Sequence, residues 1–211
     1  MAGRVREPDE VTAASPGGLP VAGLPDWQLA RRQRIVLAAL RALEEQEYDK
    51  IQIRDVAQSA EVALGTLYRY FSSKEHLYAA ALREWAGFEQ TRPARAARLD
   101  PEVRVRRRIH SVIKAFQKQP QFFKVFTLLQ ASADVNAREL LAAFEQVAWD
   151  SLTAEFQMLP PAEARDAAVM VWSMIDSLVA RAVYWGTQMS EVHRVIDRFL
   201  DVVFEHARAL D

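Results

Sequence analysis

The chain contains no cysteine. Disulfides and thiolate metal sites are therefore excluded, and a cytoplasmic protein is expected. Glycine is scarce too, with seven in 211 residues. No GxSxG elbow, Walker loop or GxGxxG turn occurs, so common hydrolase, phosphate-binding and dinucleotide signatures are missing. The four histidines, His76, His110, His193 and His206, stand far apart in the sequence with no metal-ligand spacing. Neither an enzyme, a cofactor nor a bound metal is expected. A basic-then-apolar leader is also absent, and the sequence reads as having no membrane-spanning stretch.

What is present favours helices. Half of the residues are hydrophobic, and 211 residues suffice for one large or two modest domains. A net charge of −1 would by itself argue against nucleic-acid binding. Its distribution argues otherwise. Residues 92–124 carry ten basic and two acidic side chains, whereas residues 125–211 carry six basic and thirteen acidic ones. Seven arginines fall between Arg92 and Arg108, and we read them as a surface that pairs with the acidic segment beyond rather than with DNA. Residues 1–26 hold Pro8, Pro16, Pro20 and Pro25 with Gly17, Gly18 and Gly23, and no apolar period. They read as a disordered arm.

The stretch IQIRDVAQSAEVALGTLYRYFSSK, residues 51–74, carries the strongest signal. Ile53, Val56, Ala57 and Ala60 recur at helical spacing. Glu61 to Ala63 form a short turn, with Val62 placed to fill the gap between two helices. A second helix is expected from Leu64 to Tyr70, with Leu67 and Phe71 facing inward and Thr66, Tyr68, Arg69 and Tyr70 facing outward. This is a helix-turn-helix whose second helix fits the DNA major groove. Gly65 costs about 1 kcal/mol in a helix but permits close approach to a sugar-phosphate backbone. Ser72 or Ser73 can cap the next helix, and Lys74 beside that helix start could share a phosphate. A preceding helix is expected over residues 27–46, with Ile35, Val36, Ala39, Leu40 and Leu43 buried. Its Arg31, Arg32 and Arg34 sit at a helix start, where the macrodipole disfavours cations. Phosphate contact by Arg31 or Arg34 would give that placement a purpose.

The run LGTLYRYFSSKEHL closely resembles the TetR family of bacterial transcriptional regulators, over about residues 30–85. The run VALGTLYRYFSSK also looks like a branch that includes actinobacterial repressors of steroid and lipid breakdown. One departure is Gln52, where the family usually carries Thr; Gln52 can donate to a phosphate but is a poorer N-cap. The resemblance implies an all-α protein with a helix-turn-helix head, residues 27–74, and a helical ligand-binding and dimerisation body, residues 75–211. It implies a repressor that binds a palindromic operator as a homodimer. Thr66, Tyr68, Tyr70, Arg54 and Lys74 would hold phosphates, and Arg54, Leu64, Gly65 or Tyr68 could read bases.

Beyond the motif, a linking helix is expected from Ser73 to about Ala97, unless Pro93 ends it near Gln90. Five further helices are expected: 101–118, a short aromatic one after Pro120, 136–157, one from Pro161 to Trp185 stopped by Gly186, and 190–209. The last two have more apolar surface than one core needs. Met170, Val195, Phe199, Val202 and Val203 are therefore candidates for a four-helix dimer interface. Phe116, Phe126, Leu129, Phe144, Trp149 and Trp172 are candidates to line a cavity for a hydrophobic small-molecule effector. Asp176 lies in an apolar run and needs a partner, which could be Arg181, Ser173 or a ligand hydroxyl. A helical lipid carrier whose head binds a protein is the alternative; salt-dependent DNA binding would exclude it.

Overall fold

The computed structural model describes residues 23–90 and 100–210. Among them are nine α-helices and no strand. Helix α1 spans Asp26–Glu45, and a 3-10 turn, Tyr48–Lys50, leads to α2 (Ile53–Ser59) and α3 (Leu64–Tyr70). Helix α4 covers Lys74–Gln90, α5 Pro101–Lys118, α6 Pro120–Gln130 and α7 Val135–Thr153. A second 3-10 turn, Ala154–Phe156, precedes α8 (Pro161–Trp185) and α9 (Met189–Leu210).

Local chemistry sets these boundaries. Ser73 Oγ accepts from the His76 N–H and so caps α4. Asp100 accepts from the N–H groups of Glu102 and Val103, with Pro101 in the first turn of α5. Asp134 caps α7 through the Ala137 N–H. Gly186 adopts φ 76°, and the Thr187 N–H returns to the Arg181 carbonyl, closing α8 with a left-handed cap. Gln52 stands at the N-cap of α2 and makes no capping hydrogen bond, in line with its weakness for that role.

Helix α4 joins the two halves. It packs on α1 at one side and on α7 and α6 at the other. Its Leu77, Tyr78, Ala79, Ala80, Ala81 and Leu82 are all buried, so it has almost no solvent face there. Between Leu77 and Leu82 small side chains let both sets of neighbours approach closely. The body pairs α8 with α7 and α9, while α5 lies against α9. Arg104 meets Glu155 at 2.8 Å, and Arg106 bridges Glu102, Asp197 and Asp201. The basic α5 thus pairs with the acidic helices that follow.

Two expectations change, and two fall on residues outside the described ones. The linking helix ends at Gln90 within the described residues, and residues 91–99, where a continuation to Ala97 was expected, lie outside them. Residues 1–22 of the expected arm lie outside them as well. The helix expected over 136–157 gives way to a 3-10 turn after Thr153, which tightens the chain ahead of Pro160 and Pro161. Helix α8 is, by length and composition, apolar enough to cross a membrane, with a mean hydropathy of 1.4 over its best window. Its inward face, from Ala164 through Val171 to Val179, packs in the body, and its outer face keeps Val169 and Met170 exposed.

Candidate nucleic-acid interface and effector cavity

The two short helices of the motif are held from within. Val56 and Ala57 of α2, Ala60 just after it, Leu67 of α3 and Phe71 just beyond it are buried in one core with residues of α1. Val62 is half-buried against the same core, in the turn between the helices. The Val62 N–H bonds to the Ala57 carbonyl, and Glu61 takes φ 56° to make the turn. This fixed geometry leaves one side of α3 open: Leu64, Gly65, Tyr68 and Arg69 are exposed, and Thr66 is half-buried. Apart from its own chain neighbours and the backbone of its helix, no atom lies within 4 Å of the position a Cβ would take on Gly65, so a DNA backbone could approach there. Arg54, with a side chain 83% exposed, and Gln52 flank this face from α2.

Three side chains expected outside are turned in. Tyr70 is only 3% exposed, because it lies three residues after Leu67 and shares its inward stripe. Lys74 donates through Nζ to the carbonyls of Tyr48 and Ile51 and lies 4.1 Å from the centroid of the Tyr48 ring. Its ammonium ties the approach to α2 onto α4 instead of facing a phosphate. Arg32 is buried with its guanidinium 4.8 Å from the Phe71 ring centroid, and burial lowers its pKa. Arg34 is exposed, and Arg31 is half-buried, stacked on Trp27 at 5.0 Å.

A polar cluster links this region to the body. Ser72 Oγ donates to Asp134 at 2.9 Å and lies 3.0 Å from His76 Nδ1, which also accepts from the Ser72 N–H. Asn136 donates to the same hydroxyl. Burial lowers the pKa of His76, with Asp134 opposing and Arg32 reinforcing the shift. The start of α4 is thereby joined to the start of α7. Residues 62 positions apart meet here, and no local spacing announces it.

The body holds a cavity between α4, α5, α7 and α8, with an empty volume of about 580 Å³ counting its open mouth. Of the residues proposed from the sequence to line a cavity, Phe116, Phe144 and Trp172 do line this one. Phe126 stands behind them, its ring 6.0 Å from Phe144 and 6.1 Å from Trp172. Leu129 is fully buried and Trp149 half-buried, but neither lines the cavity. Asp176 does not reach it either. Its carboxylate is hydrogen-bonded by Gln130, and burial raises its pKa. The sequence reading missed Trp85 and Ala86 of α4, and Arg108, Ser111 and Ser151. The signal was available in part: residues 108, 111, 112, 115 and 116 form one helical stripe, as do 144, 148, 151 and 152.

Residues 35–81 match the family described as bacterial regulatory proteins, tetR family. The chain is 32% identical over 174 residues to the HTH-type transcriptional repressor KstR of Rhodococcus jostii strain RHA1, covering 81% of this chain and 80% of that one. The chain belongs to the TetR family. It is similar also to the HTH-type transcriptional regulator BetI of Burkholderia ambifaria, at 30% identity over 74% of this chain and 84% of that protein. Among solved structures, a TetR transcriptional regulator from Rhodococcus sp. RHA1 superposes with a TM-score of 0.68 at 22% identity, covering 84% of this chain and 96% of that one. A regulator FadR from Bacillus subtilis in complex with stearoyl-CoA gives 0.59 at 18% identity, over 81% and 96% of the two chains. This TetR-family chain is a DNA-binding transcriptional regulator near the actinobacterial repressors, and not an enzyme.

On this regulator the outer surface of α8 and α9 carries exposed and half-exposed apolar side chains. Met170 is 48% exposed and Val202 56%, while Val195 and Phe199 are half-buried. Residues 195, 199, 202 and 206 form one stripe at helical spacing. Val203, expected in the same surface, is 8% exposed and packs inward beside Phe204. His206 joins α9 to α8 through Glu163 at 2.6 Å. The histidines are less dispersed than their sequence positions suggest: His110 and His193 stack with ring centroids 4.6 Å apart, and His110 Nε2 meets Asp197 at 2.8 Å. No three-ligand metal cluster is formed among the described residues.

Proposed function

We propose that the protein is a homodimeric repressor that binds a palindromic operator in the cytoplasm and is released by an apolar effector held in the body cavity. The observation that carries this reading is the open face of α3, where Leu64, Gly65, Tyr68 and Arg69 project from a buried scaffold. Residues 27–74 act as the head and residues 75–211 as the body. The head lays α3 in the major groove, with Arg54, Gln52, Thr66, Tyr68, Arg69 and Arg34 toward phosphates. Base edges are read from Arg54, Leu64, Gly65 or Tyr68. Arg31 adds a phosphate contact if it leaves Trp27; Tyr70 and Lys74 support the head from inside.

The outward faces of α8 and α9 pair with those of a second copy through Met170, Val195, Phe199 and Val202. Two heads then stand about 34–36 Å apart, one helical turn of DNA. The effector enters between α4 and the body helices. Trp85 and Ala86 are the α4 part of the cavity wall, and the start of the same helix carries the Lys74 and Ser72 ties. A ligand that displaces α4 changes the spacing of the heads, and by linkage DNA then disfavours the ligand.

Selection of genomic fragments by the purified protein tests the reading. One enriched palindrome, with affinity falling steeply as salt rises, is expected. Weak binding without an enriched sequence would overturn it.

A further inference from the structure

We propose that the effector is anionic: the cavity holds an apolar body against Phe116, Phe144 and Trp172, while Arg108 takes a carboxylate at its mouth. This rests on the reading of that cavity as the effector site and names the chemical class it selects.

The inference starts from how α5 disposes of its arginines. Arg104 is satisfied by Glu155, and Arg106 by Glu102, Asp197 and Asp201. Arg107 is exposed to solvent. Arg108 is different: it is half-buried, lines the cavity, and has no carboxylate within salt-bridge distance among the described residues. Its one hydrogen bond there goes to Ser151 Oγ, at 3.2 Å across to α7.

The rest of the wall gives the charge no counterpart. Val112, Ala115, Ala148 and Leu152 are apolar, and Ser111 already donates to the Arg108 carbonyl. The neighbouring Trp85 N–H is taken by Gln119 at 2.6 Å. Ser151 accepts from Arg108, so its own hydroxyl proton remains for an acceptor beside the guanidinium. A neutral apolar ligand filling this space would strip water from Arg108 and return nothing, which is costly for a buried charge. A carboxylate would receive two guanidinium N–H groups in the fork geometry that arginine favours, and the Ser151 hydroxyl as a third donor.

The test uses decanoate and decan-1-ol, which share a chain and differ in charge. Binding of each to the full-length protein is followed by calorimetry, and operator release by band shift. Decanoate is expected to bind about tenfold or more tightly than the alcohol and to release the operator. In Arg108→Gln that preference should vanish, with decanoate weakened about tenfold or more and the alcohol binding as tightly as before or tighter, since it no longer strips water from a charge. Arg108→Lys should restore part of it, so a folding defect in the first variant would not decide the matter. Equal binding of both probes to the unaltered protein would overturn the anionic class and leave the cavity reading standing. Failure of both to bind or to release DNA would overturn the two together.

Discussion

The head and the body carry their functions in opposite ways. In the head the proposed DNA surface is an exposed strip of one seven-residue helix, and the core beneath it is built from nearby residues of the motif and of α1. In the body the proposed effector site is concave and drawn from α4, α5, α7 and α8, so its walls come from residues up to 87 positions apart. A DNA surface must protrude to reach base edges, whereas an effector site must enclose. Protruding side chains can be altered without touching the core, but enclosing ones belong to it.

The sharpest way to break that contrast is to compare adjacent residues of α3. Leu67 is fully buried and Tyr68 is 45% exposed. Leu67→Ala should cost about 3 kcal/mol of stability through the lost contacts and the cavity left behind. Tyr68→Ala should leave stability within about 0.5 kcal/mol, yet weaken DNA binding for every sequence tested. Thermal melting and band shifts on both variants decide it. If Tyr68→Ala bound DNA like the parent, the exposed strip would not be the DNA surface.

A second variant probes the body's outer surface. Val202 is 56% exposed and sits in the middle of the α9 stripe. Val202→Glu should raise the dimer dissociation constant by about tenfold or more, since two like charges would meet near the symmetry axis. Melting of the monomer should be nearly unchanged. Sedimentation that shows an intact dimer in this variant would place the interface elsewhere.

The cluster that joins the two regions titrates in a defined direction. His76 accepts the Ser72 N–H and lies in contact with the Ser72 hydroxyl, with Phe71, Arg32 and Asp134 around it. Burial holds its pKa below the ordinary 6.5. The unfolded chain therefore binds a proton first as pH falls. The stabilising contribution is complete above 6.5, and is lost as pH drops below 6.5 towards the lowered folded value. His193, on α9, is shifted the same way by burial and by His110. His76→Asn should therefore show a shallower loss of urea stability on acidification than the parent, with the His193 share left. Equal slopes in both proteins would mean that His76 does not titrate in this window.

The sequence was most informative where function is local. Leu67, Tyr68 and Phe71 could be assigned to faces from spacing alone, because a helix repeats its faces every three to four residues. Tyr70, expected outward with the other hydroxyls, is buried because the same spacing puts it with Leu67. Lys74 was misread for another reason, since its partners are backbone carbonyls that no residue type reveals. In the body, Phe116, Phe144 and Trp172 were recognisable as large apolar residues. Arg108 was not, because an arginine's partner, or lack of one, depends on which helices meet. The meeting of His110 with His193 across α5 and α9 was hidden for the same reason.

Asp176 gives the smallest expected effect and the finest test of where the body's working surface ends. It lies on α8 one turn after Trp172, which lines the cavity, and its carboxylate is turned to Gln130 instead. Burial raises its pKa, so the fold disfavours the ionised form. Asparagine keeps an acceptor for Gln130 and removes the charge. Asp176→Asn should therefore leave stability unchanged or slightly raised, within about 0.5 kcal/mol, and leave decanoate binding as it was. Trp172→Ala, by contrast, should weaken decanoate binding while DNA binding persists. If the effects were reversed, with Asp176→Asn altering binding and Trp172→Ala not, the effector would sit between α6, α7 and α8. The coupling to DNA would then have to run through α6, which also packs on α4, rather than through direct contact with Trp85.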